Sequence, residues 1–481
     1  MAGSRVVRVR TAHGVVADQL VEGVKAIQAE LAVDPEFPGE VQREAERAAK
    51  SPRLPDLDRT HLELVTIDPP GARDLDQALH LERDGKGFIV HYAIADVGAF
   101  VEAGGALDAE AHRRGETLYG AESKVPLHPP VISEDAGSLL PDRERPALLW
   151  TIRVDESGEG TDVDVRRARV RSREQLDYET VQQRLDDGSA SESLQLLKEV
   201  GELRLAREAA RGGVSLPLPE QEVELDGEQV SLQFRSMLPV EQWNAQISLL
   251  TGFAAASLMV YARVGLLRTL PEPDPRDVKR LHRTARALRI EWPAEQLYPD
   301  FIRSLDPSDP RHAAMVVACT RLLRGSGYVA FDGAVPEDPE HAALASEYAH
   351  VTAPLRRLGD RYAGEVCLAL CAGEDVPAWV LEQLPGLPDT LRQSAQRGNR
   401  YESAVLNLVE SLLLRHRVGE TFPGVVVEVD DGDRSRGTVT VEEPAIEATV
   451  TGSSELPLGE RVTVTLAEAD PVQRSVEFAL R

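Results

Sequence analysis

The residues best equipped for chemistry lie in one short stretch, Val65-Thr-Ile-Asp68-Pro-Pro-Gly-Ala-Arg-Asp74-Leu-Asp76-Gln77-Ala-Leu79. Asp68, Asp74 and Asp76 follow an apolar run and span a Pro-Pro-Gly turn. Asp74 and Asp76 are two apart, so on an extended backbone they point the same way. Two carboxylates about 4 Å apart repel by roughly 4 kcal/mol at an effective dielectric of about 20, and a divalent cation reverses that repulsion. Hard oxygen donors with open positions suit Mg²⁺ or Mn²⁺. The spacing is not that of the Ca²⁺ loop D-x-D-x-D-G, and no bidentate Glu follows at the twelfth position. By composition alone, the same stretch also reads as a solvated acidic loop.

Side chains of this kind need a rigid frame. Leu62 to Asp68, Phe88 to Val97, Ala147 to Val154 and Val163 to Val170 are rich in Val, Ile and Leu and read as strands, the last two flanking the turn Glu156 to Gly160. Phe88 to Val97 is apolar on nearly every residue, as in a strand covered on both faces. Past Leu194 the period becomes helical: Ile247, Leu250, Ala254, Leu258 and Tyr261 trace one face, and Tyr401, Ala404, Val405, Leu408, Val409, Leu412 and Leu413 another. Residues 59–417 read as one catalytic unit, longer than the usual range of about 50 to 250 residues. Ahead of it, Val15 to Leu31 and Pro38 to Ala49 have helical spacing, and Ser51 to Asp58 reads as a linker, so residues 1–58 form a small helical N-terminal region. Residues 418–481 return to short strands punctuated by Asp430 to Asp433 and Gly452 to Glu455, which suits a small oligonucleotide-binding-type barrel. That segment carries 5 basic and 13 acidic residues and few aromatics beyond Phe422, so it lacks the basic groove and stacking rings of a self-sufficient RNA binder.

The whole chain of 481 residues has 54 basic and 80 acidic residues, a net charge of −26, which disfavours a polyanionic partner except in a restricted channel. Arginine clusters at Arg166, Arg167, Arg169, Arg171 and Arg173 and at Arg356 and Arg357 allow such a channel. With 42% hydrophobic residues the chain can bury a core, which excludes wholesale disorder and a collagen-like or mini-protein class. No apolar stretch approaches the roughly 20 residues of a membrane span, and no apolar block follows the first arginines, so no membrane partner and no secretory signal are expected. Three cysteines without a Cys-x-x-Cys pair fit a reducing cytoplasm and exclude a cysteine zinc finger.

The acidic stretch resembles the signature of the ribonuclease II family, also called the RNB domain: Asp, five residues, Asp, one residue, Asp-Asp. The similarity continues in order through His91-Tyr-Ala-Ile-Ala-Asp-Val97, Arg114-Gly-Glu-Thr-Leu-Tyr119, Ser138-Leu-Leu-Pro141 and Arg145-Pro-Ala147. It returns in His341-Ala-Ala-Leu-Ala345 and in Tyr348-Ala-His-Val-Thr-Ala-Pro-Leu-Arg356-Arg357. Ordered agreement over most of residues 59–361 is far more specific than a lone acidic motif. The resemblance implies an α+β multidomain chain: an RNB-type catalytic domain of sheet packed with helices, the small helical N-terminal region, and a C-terminal barrel of S1/OB type.

What the resemblance implies in function is a processive exoribonuclease that hydrolyses single-stranded RNA from its 3′ end with Mg²⁺ or Mn²⁺, releasing nucleoside 5′-monophosphates. No obligate protein partner follows from it. Asp68, Asp74 and Asp76 match metal-site aspartates, Asp76 being the one tied to the chemical step. Arg356 matches the arginine at the scissile phosphate, with Arg357 beside it, while Tyr119 and Tyr178 resemble tyrosines at the 3′-terminal base. His91 and His350 read as structural, and Glu402 is a candidate for a downstream acidic position. Gln77 departs from the pattern, standing where the family has its fourth aspartate, and could offer a metal only its amide oxygen. Asn244 and Ala245 stand near the family's glutamate pair, which puts ribose recognition in doubt. The family's paired N-terminal cold-shock barrels have no counterpart. A catalytically weakened RNB-fold RNA-binding or regulatory protein is the second reading, and an endonuclease or DNA-active relative a third.

Overall fold

The computed structural model describes residues 15–120, 124–216, 220–226, 229–235, 237–306 and 308–480. Its catalytic portion is built on a closed five-stranded barrel of β1 (Leu64–Ile67), β2 (Gln77–Asp84), β3 (Gly87–Ala95), β4 (Glu144–Val154) and β5 (Gly160–Leu176). Neighbours pair antiparallel except β1 and β5, which close the barrel in parallel. Small residues make this tight closure feasible: Ala78, Ala93, Ala95, Ala147 and Ala168 share one apolar cluster with Leu64, Leu149 and Val170. The alternate residues, including Leu79, Val90, Tyr92, Ile94, Trp150 and Ile152, pack with helix residues Leu197, Val200, Ile247, Leu250, Tyr362 and Val366. The second half of β3 is therefore covered on both faces, as its apolar run implies. The expected sheet is a barrel, and β2 is a strand whose polar His80, Glu82, Arg83 and Asp84 hide it in the sequence.

Helix Pro239–Ala262 corrects the expectation about apolar length. Among the described residues it alone is long and apolar enough to cross a membrane. Asn244, Gln246, Ser248 and Thr251 interrupt its apolar run, so no unbroken block marks it. In this fold Val240, Ile247, Leu250, Ala255, Ala256 and Met259 are buried in the core beside the barrel. A Cβ on Gly252 would stand 2.1 Å from Tyr348 Cε2 and 2.7 Å from Ala349 O, so only glycine lets the segment leading to Arg356 lie this close.

The N-terminal helices Val15–Glu30 and Gly39–Lys50 match the sequence pattern to within a residue or so. Gly39–Lys50 joins the barrel through Val41 and Ala45, and Glu44 accepts from Ala106 N (2.9 Å) and Leu107 N (3.3 Å) at the start of helix Ala106–Arg114. In Val15–Glu30, Leu20, Val24 and Ile27 pack with Tyr401, Val405, Leu408 and Leu412 of helix Leu387–Leu414.

The C-terminal strands β6 (Thr421–Val429), β7 (Arg436–Val441), β8 (Ile446–Gly452), β9 (Arg461–Asp470) and β10 (Ser475–Leu480) close a second barrel in the order β6-β7-β8-β10-β9. Its core of Phe422, Val426, Val439, Val450, Val464 and Phe478 is continuous with the Leu20–Tyr401 cluster. On its other side Val425 and Val427 pack with Leu281, Phe301 and Met315, and Arg321 reaches Glu428 at 2.6 Å.

The arginine run on β5 is not an open basic stripe. Arg166 pairs with Asp164, Arg167 with Asp96 and Glu365, Arg169 with Asp58, and Arg171 with Glu144, while Arg173 donates to Thr60 O. Carboxylates contributed by other parts of the chain, invisible in a local reading, neutralise most of it.

Candidate active site

One end of the first barrel carries the acidic stretch. Asp68 follows β1, and its N–H donates to Leu176 O of β5 at 3.0 Å. The chain then turns through Pro69 to Ala72 and returns as β2. Ser138 fixes the intervening loop: its Oγ donates to Arg73 O at 2.5 Å and accepts from Leu75 N at 3.0 Å, and Leu139 N donates to Leu75 O. Arg145 Nε in turn donates to Ser138 O at 3.1 Å. The motifs at Ser138 and Arg145 thus hold the aspartate loop in shape.

Asp76 is 5% exposed, and its Oδ1 accepts from Leu355 N at 2.8 Å. Its Oδ2 lies 3.4 Å from Arg356 Nε. Asp68 Oδ2 is buried with no hydrogen-bond partner among the described residues. Burial pushes both carboxyls up to about 7, against the pull of Arg356 and with a further push from Asp74. An enclosed acceptor without a donor, on a carboxyl that like Asp76 is within electrostatic reach of Arg356 and Asp74, is the environment a divalent cation relieves.

The four predicted metal donors do not act as one set. Asp74 Oδ1 is held by Lys124 Nζ at 2.7 Å, and that ammonium also meets Glu134 Oε1 at 3.0 Å. Gln77 donates from Nε2 to Thr352 O at 2.7 Å and accepts at Oε1 from Tyr92 OH at 2.7 Å. An amide can do both at once, whereas a carboxylate would face the Thr352 carbonyl with a second acceptor. Among the described residues no three His, Cys, Asp or Glu side chains converge as a ready-made metal site. Asp68 and Asp76 remain the fitting pair, and Mg²⁺ is commonly held by one or two carboxylates, waters and substrate phosphate.

Two adjacent arginines have opposite fates. Arg357 forks onto Asp360, with Nε to Oδ1 at 2.9 Å and Nη2 to Oδ2 at 2.7 Å, and Asp360 also accepts from Ala353 N at 2.8 Å. This pairing commits Nε and Nη2 of the arginine expected to contact RNA beside Arg356, at the start of helix Leu358–Ala372. Arg356 is 43% exposed at its side chain and meets only Asp76 among the described residues, so its Nη groups are free to bind a phosphate.

Segment Gly115–Thr117 runs beside the arginines, with Thr117 N donating to Arg356 O and Leu358 N to Gly115 O, both at 3.0 Å. This brings Tyr119, 39% exposed, within electrostatic reach of Arg356, Asp74, Asp76 and Lys124. Tyr178 opens helix Tyr178–Asp186 beside Asp68, and its hydroxyl hydrogen-bonds Asn244. The neutral amide at 244 therefore engages the tyrosine expected at the 3′ end. His350 is half-buried, bonded to Tyr328 OH at 2.7 Å, and desolvation followed by the charges of Arg357 and Arg268 keeps it neutral. His91 sits on β3 beside His80 and Glu82.

Glu402 receives the Tyr119 backbone N–H, and burial followed by the neighbouring Glu116 pushes it up to about 7 from 4.5. A carboxyl whose pKa rises on folding stabilises fully below about 4.5 and withdraws that stability as pH rises through about 7. Glu402→Gln should therefore raise Tm at pH 8 and raise it far less at pH 5. Equal shifts at both pH values in thermal melts would contradict the buried charge.

The RNB domain family matches residues 57–369, 313 of the 481. The chain belongs to the RNB family. Residues 420–481 match the RNase II-type exonuclease C-terminal S1 domain. The chain is 28% identical over 333 residues to the human exosome complex exonuclease RRP44, covering 66% of this chain and 34% of that protein. It is 27% identical over 418 residues to ribonuclease R of Thermotoga maritima, covering 82% and 58%. The chain thus spans less than two thirds of the length of either relative. In fold it superposes on Mycoplasma genitalium RNase R in complex with ribose methylated single-stranded RNA with TM-score 0.84, 21% identity, and coverage of 96% and 78%. It also superposes on yeast Ssd1, a pseudonuclease, with TM-score 0.71, 15% identity, and coverage of 95% and 58%. Lys124 and Glu134, around Asp74, and Tyr92 and Thr352, around Gln77, are the partners of the candidate residues that motif spacing did not single out.

Proposed function

We propose that this RNB chain is a hydrolytic 3′-to-5′ exoribonuclease acting processively on single-stranded RNA and releasing nucleoside 5′-monophosphates with Mg²⁺ or Mn²⁺. The observation that carries the reading is that half-buried Asp68, with its enclosed Oδ2, and buried Asp76 both lie within electrostatic reach of Arg356, whose Nη fork is unengaged. Asp68 and Asp76 would hold the cation, which supplies Lewis acidity and a bound water of lowered pKa. Leu355 N–H fixes Asp76 so that its second oxygen faces Arg356. Arg356 can place two N–H groups on the scissile phosphate, where charge grows in the transition state. Exposed Tyr119 offers a face for the terminal base, a contact of roughly 1–3 kcal/mol that tolerates any sequence. Tyr178 with Asn244 borders Asp68 and is suited to the terminal nucleotide. The RNB family match and the ribonuclease relatives support RNA as the polymer.

A second reading, an RNB-fold RNA binder without turnover, draws on Gln77 in place of a carboxylate and on Lys124 occupying Asp74. Incubation of the purified chain with 5′-labelled single-stranded RNA and Mg²⁺ or Mn²⁺ separates the two. The nuclease reading expects a ladder shortening from the 3′ end and nucleoside 5′-monophosphates in the soluble fraction. RNA that is bound but intact under both cations overturns it in favour of the binder, and internal fragments point to endonuclease action.

A further inference from the structure

Lys124 is placed where a metal ion would otherwise be expected. It begins the two-residue strand Lys124–Val125, paired directly with Tyr119 across the ladder to Leu118–Tyr119. Its ammonium bridges carboxylates from two separate elements, Asp74 in the loop before β2 and Glu134 in the turn Ile132–Ala136. The three side chains are only 24%, 17% and 25% exposed, so this is a largely enclosed ion triad rather than a solvent-washed pair. An ammonium has three N–H donors. Two are taken, leaving one without a partner among the described residues, and the ammonium is within electrostatic reach of Tyr119, as Arg356 and Asp76 are.

The donor set shows the same economy from the other side. Gln77 contributes no charge, and its amide is committed to Tyr92 and Thr352. With Asp74 Oδ1 held by Lys124, Asp68 offers an Oδ2 that has no donor among the described residues, and Asp76 offers the lone pairs not turned to Leu355 N and Arg356 Nε. A two-ion hydrolytic centre clamps the attacking and leaving oxygens with two positive charges. Here one of those charges has a covalently attached counterpart.

We propose that the site takes a single divalent cation on Asp68 and Asp76, and that the Lys124 ammonium, seated on Asp74 and Glu134, supplies the second positive charge toward the bound phosphate. The inference rests on the cation-dependent reading above and specifies its stoichiometry. Removing the ammonium should convert its seat into a cation site, because Asp74 and Glu134 would then face each other unneutralised, and hard oxygens of that kind suit Mn²⁺.

The test is electron paramagnetic resonance titration of the full chain with Mn²⁺, counting only equivalents that Asp68→Asn, or Asp74→Asn with Glu134→Gln, abolishes. The parent should bind one such equivalent, lost with Asp68→Asn and unaffected by the Asp74 and Glu134 changes. Lys124→Met should gain a second equivalent, lost on adding Asp74→Asn with Glu134→Gln, and Lys124→Arg should stay at one. Two equivalents in the parent overturn the proposal and leave the nuclease reading standing. So does a single equivalent in Lys124→Met. No site-dependent Mn²⁺ in the parent overturns both. The Asp→Asn and Glu→Gln changes keep side-chain volume, and a far-ultraviolet circular dichroism spectrum and melt matching the parent qualify each variant before its equivalents are counted.

Discussion

Asp76→Asn should lower cleavage of single-stranded RNA by about 10³-fold while leaving RNA affinity within about threefold of the parent. Asparagine keeps the volume, and its Oδ1 can still accept from Leu355 N, so the loop that carries Arg356 stays in place. What disappears is the negative charge beside Arg356 and one of two anionic donors for a cation. Losing one preorganised electrostatic element typically costs about 10² to 10³, and losing a cation's seat as well places the effect at the upper end. Binding should hold or tighten slightly, because a charge that repels phosphate is gone while the basic contacts remain. Single-turnover cleavage with filter-binding controls measures both, and a variant that cuts at the parent rate would remove Asp76 from the chemistry.

Arg356→Ala should reduce kcat by about 10² to 10³, equivalent to roughly 3–4 kcal/mol of lost transition-state stabilisation, with a smaller change in KM. Lysine at 356 should recover only part of the loss, since a point charge cannot reproduce the two parallel N–H bonds of a guanidinium. Arg357 provides the internal contrast. Its guanidinium anchors Asp360, which is 1% exposed, so Arg357→Ala leaves a buried carboxylate without its main partner. It should lower Tm before it affects chemistry at permissive temperature. Steady-state kinetics and melts on the two variants should separate these roles, and an Arg356→Lys enzyme with parental kcat would refute the fork argument.

The contrast between these arginines also shows what a sequence can disclose. Asp68, Asp74 and Asp76 could be singled out because their spacing is local and unusual. Arg356 and Arg357 are indistinguishable by type, and only Asp360, placed by the first turn of the next helix, decides which one is spent on structure. Lys124 meets Asp74 from 50 positions away, and Gln77 finds Thr352 from 275 positions away. Neither pairing has a periodic signature. The same limit governs the fold. The apolar strands Phe88 to Val97 and Ala147 to Val154 were plain, as were the helices flanking Tyr401 and Ile247. Strand Val264–Thr269, paired with Gly327–Asp332, was hidden among helical segments, and β10 alternates too weakly to stand out. The arginines of β5 looked like a polyanion track because the carboxylates that neutralise them come mostly from other parts of the chain.

The apolar cluster that runs from Leu20 through Tyr401 into Phe422 also contains Leu118 and Val125, the neighbours of Tyr119 and Lys124. Helix Val15–Glu30, the C-terminal barrel and the strand pair that carries Tyr119 and Lys124 therefore share one keystone. Severing the tail would bare greasy surface on the body as well as on the tail, so the barrel is no detachable cassette that evolution or an engineer could exchange freely. A lesion in the C-terminal barrel, remote in sequence from Tyr119 and Lys124, would loosen the short strand pair that carries them.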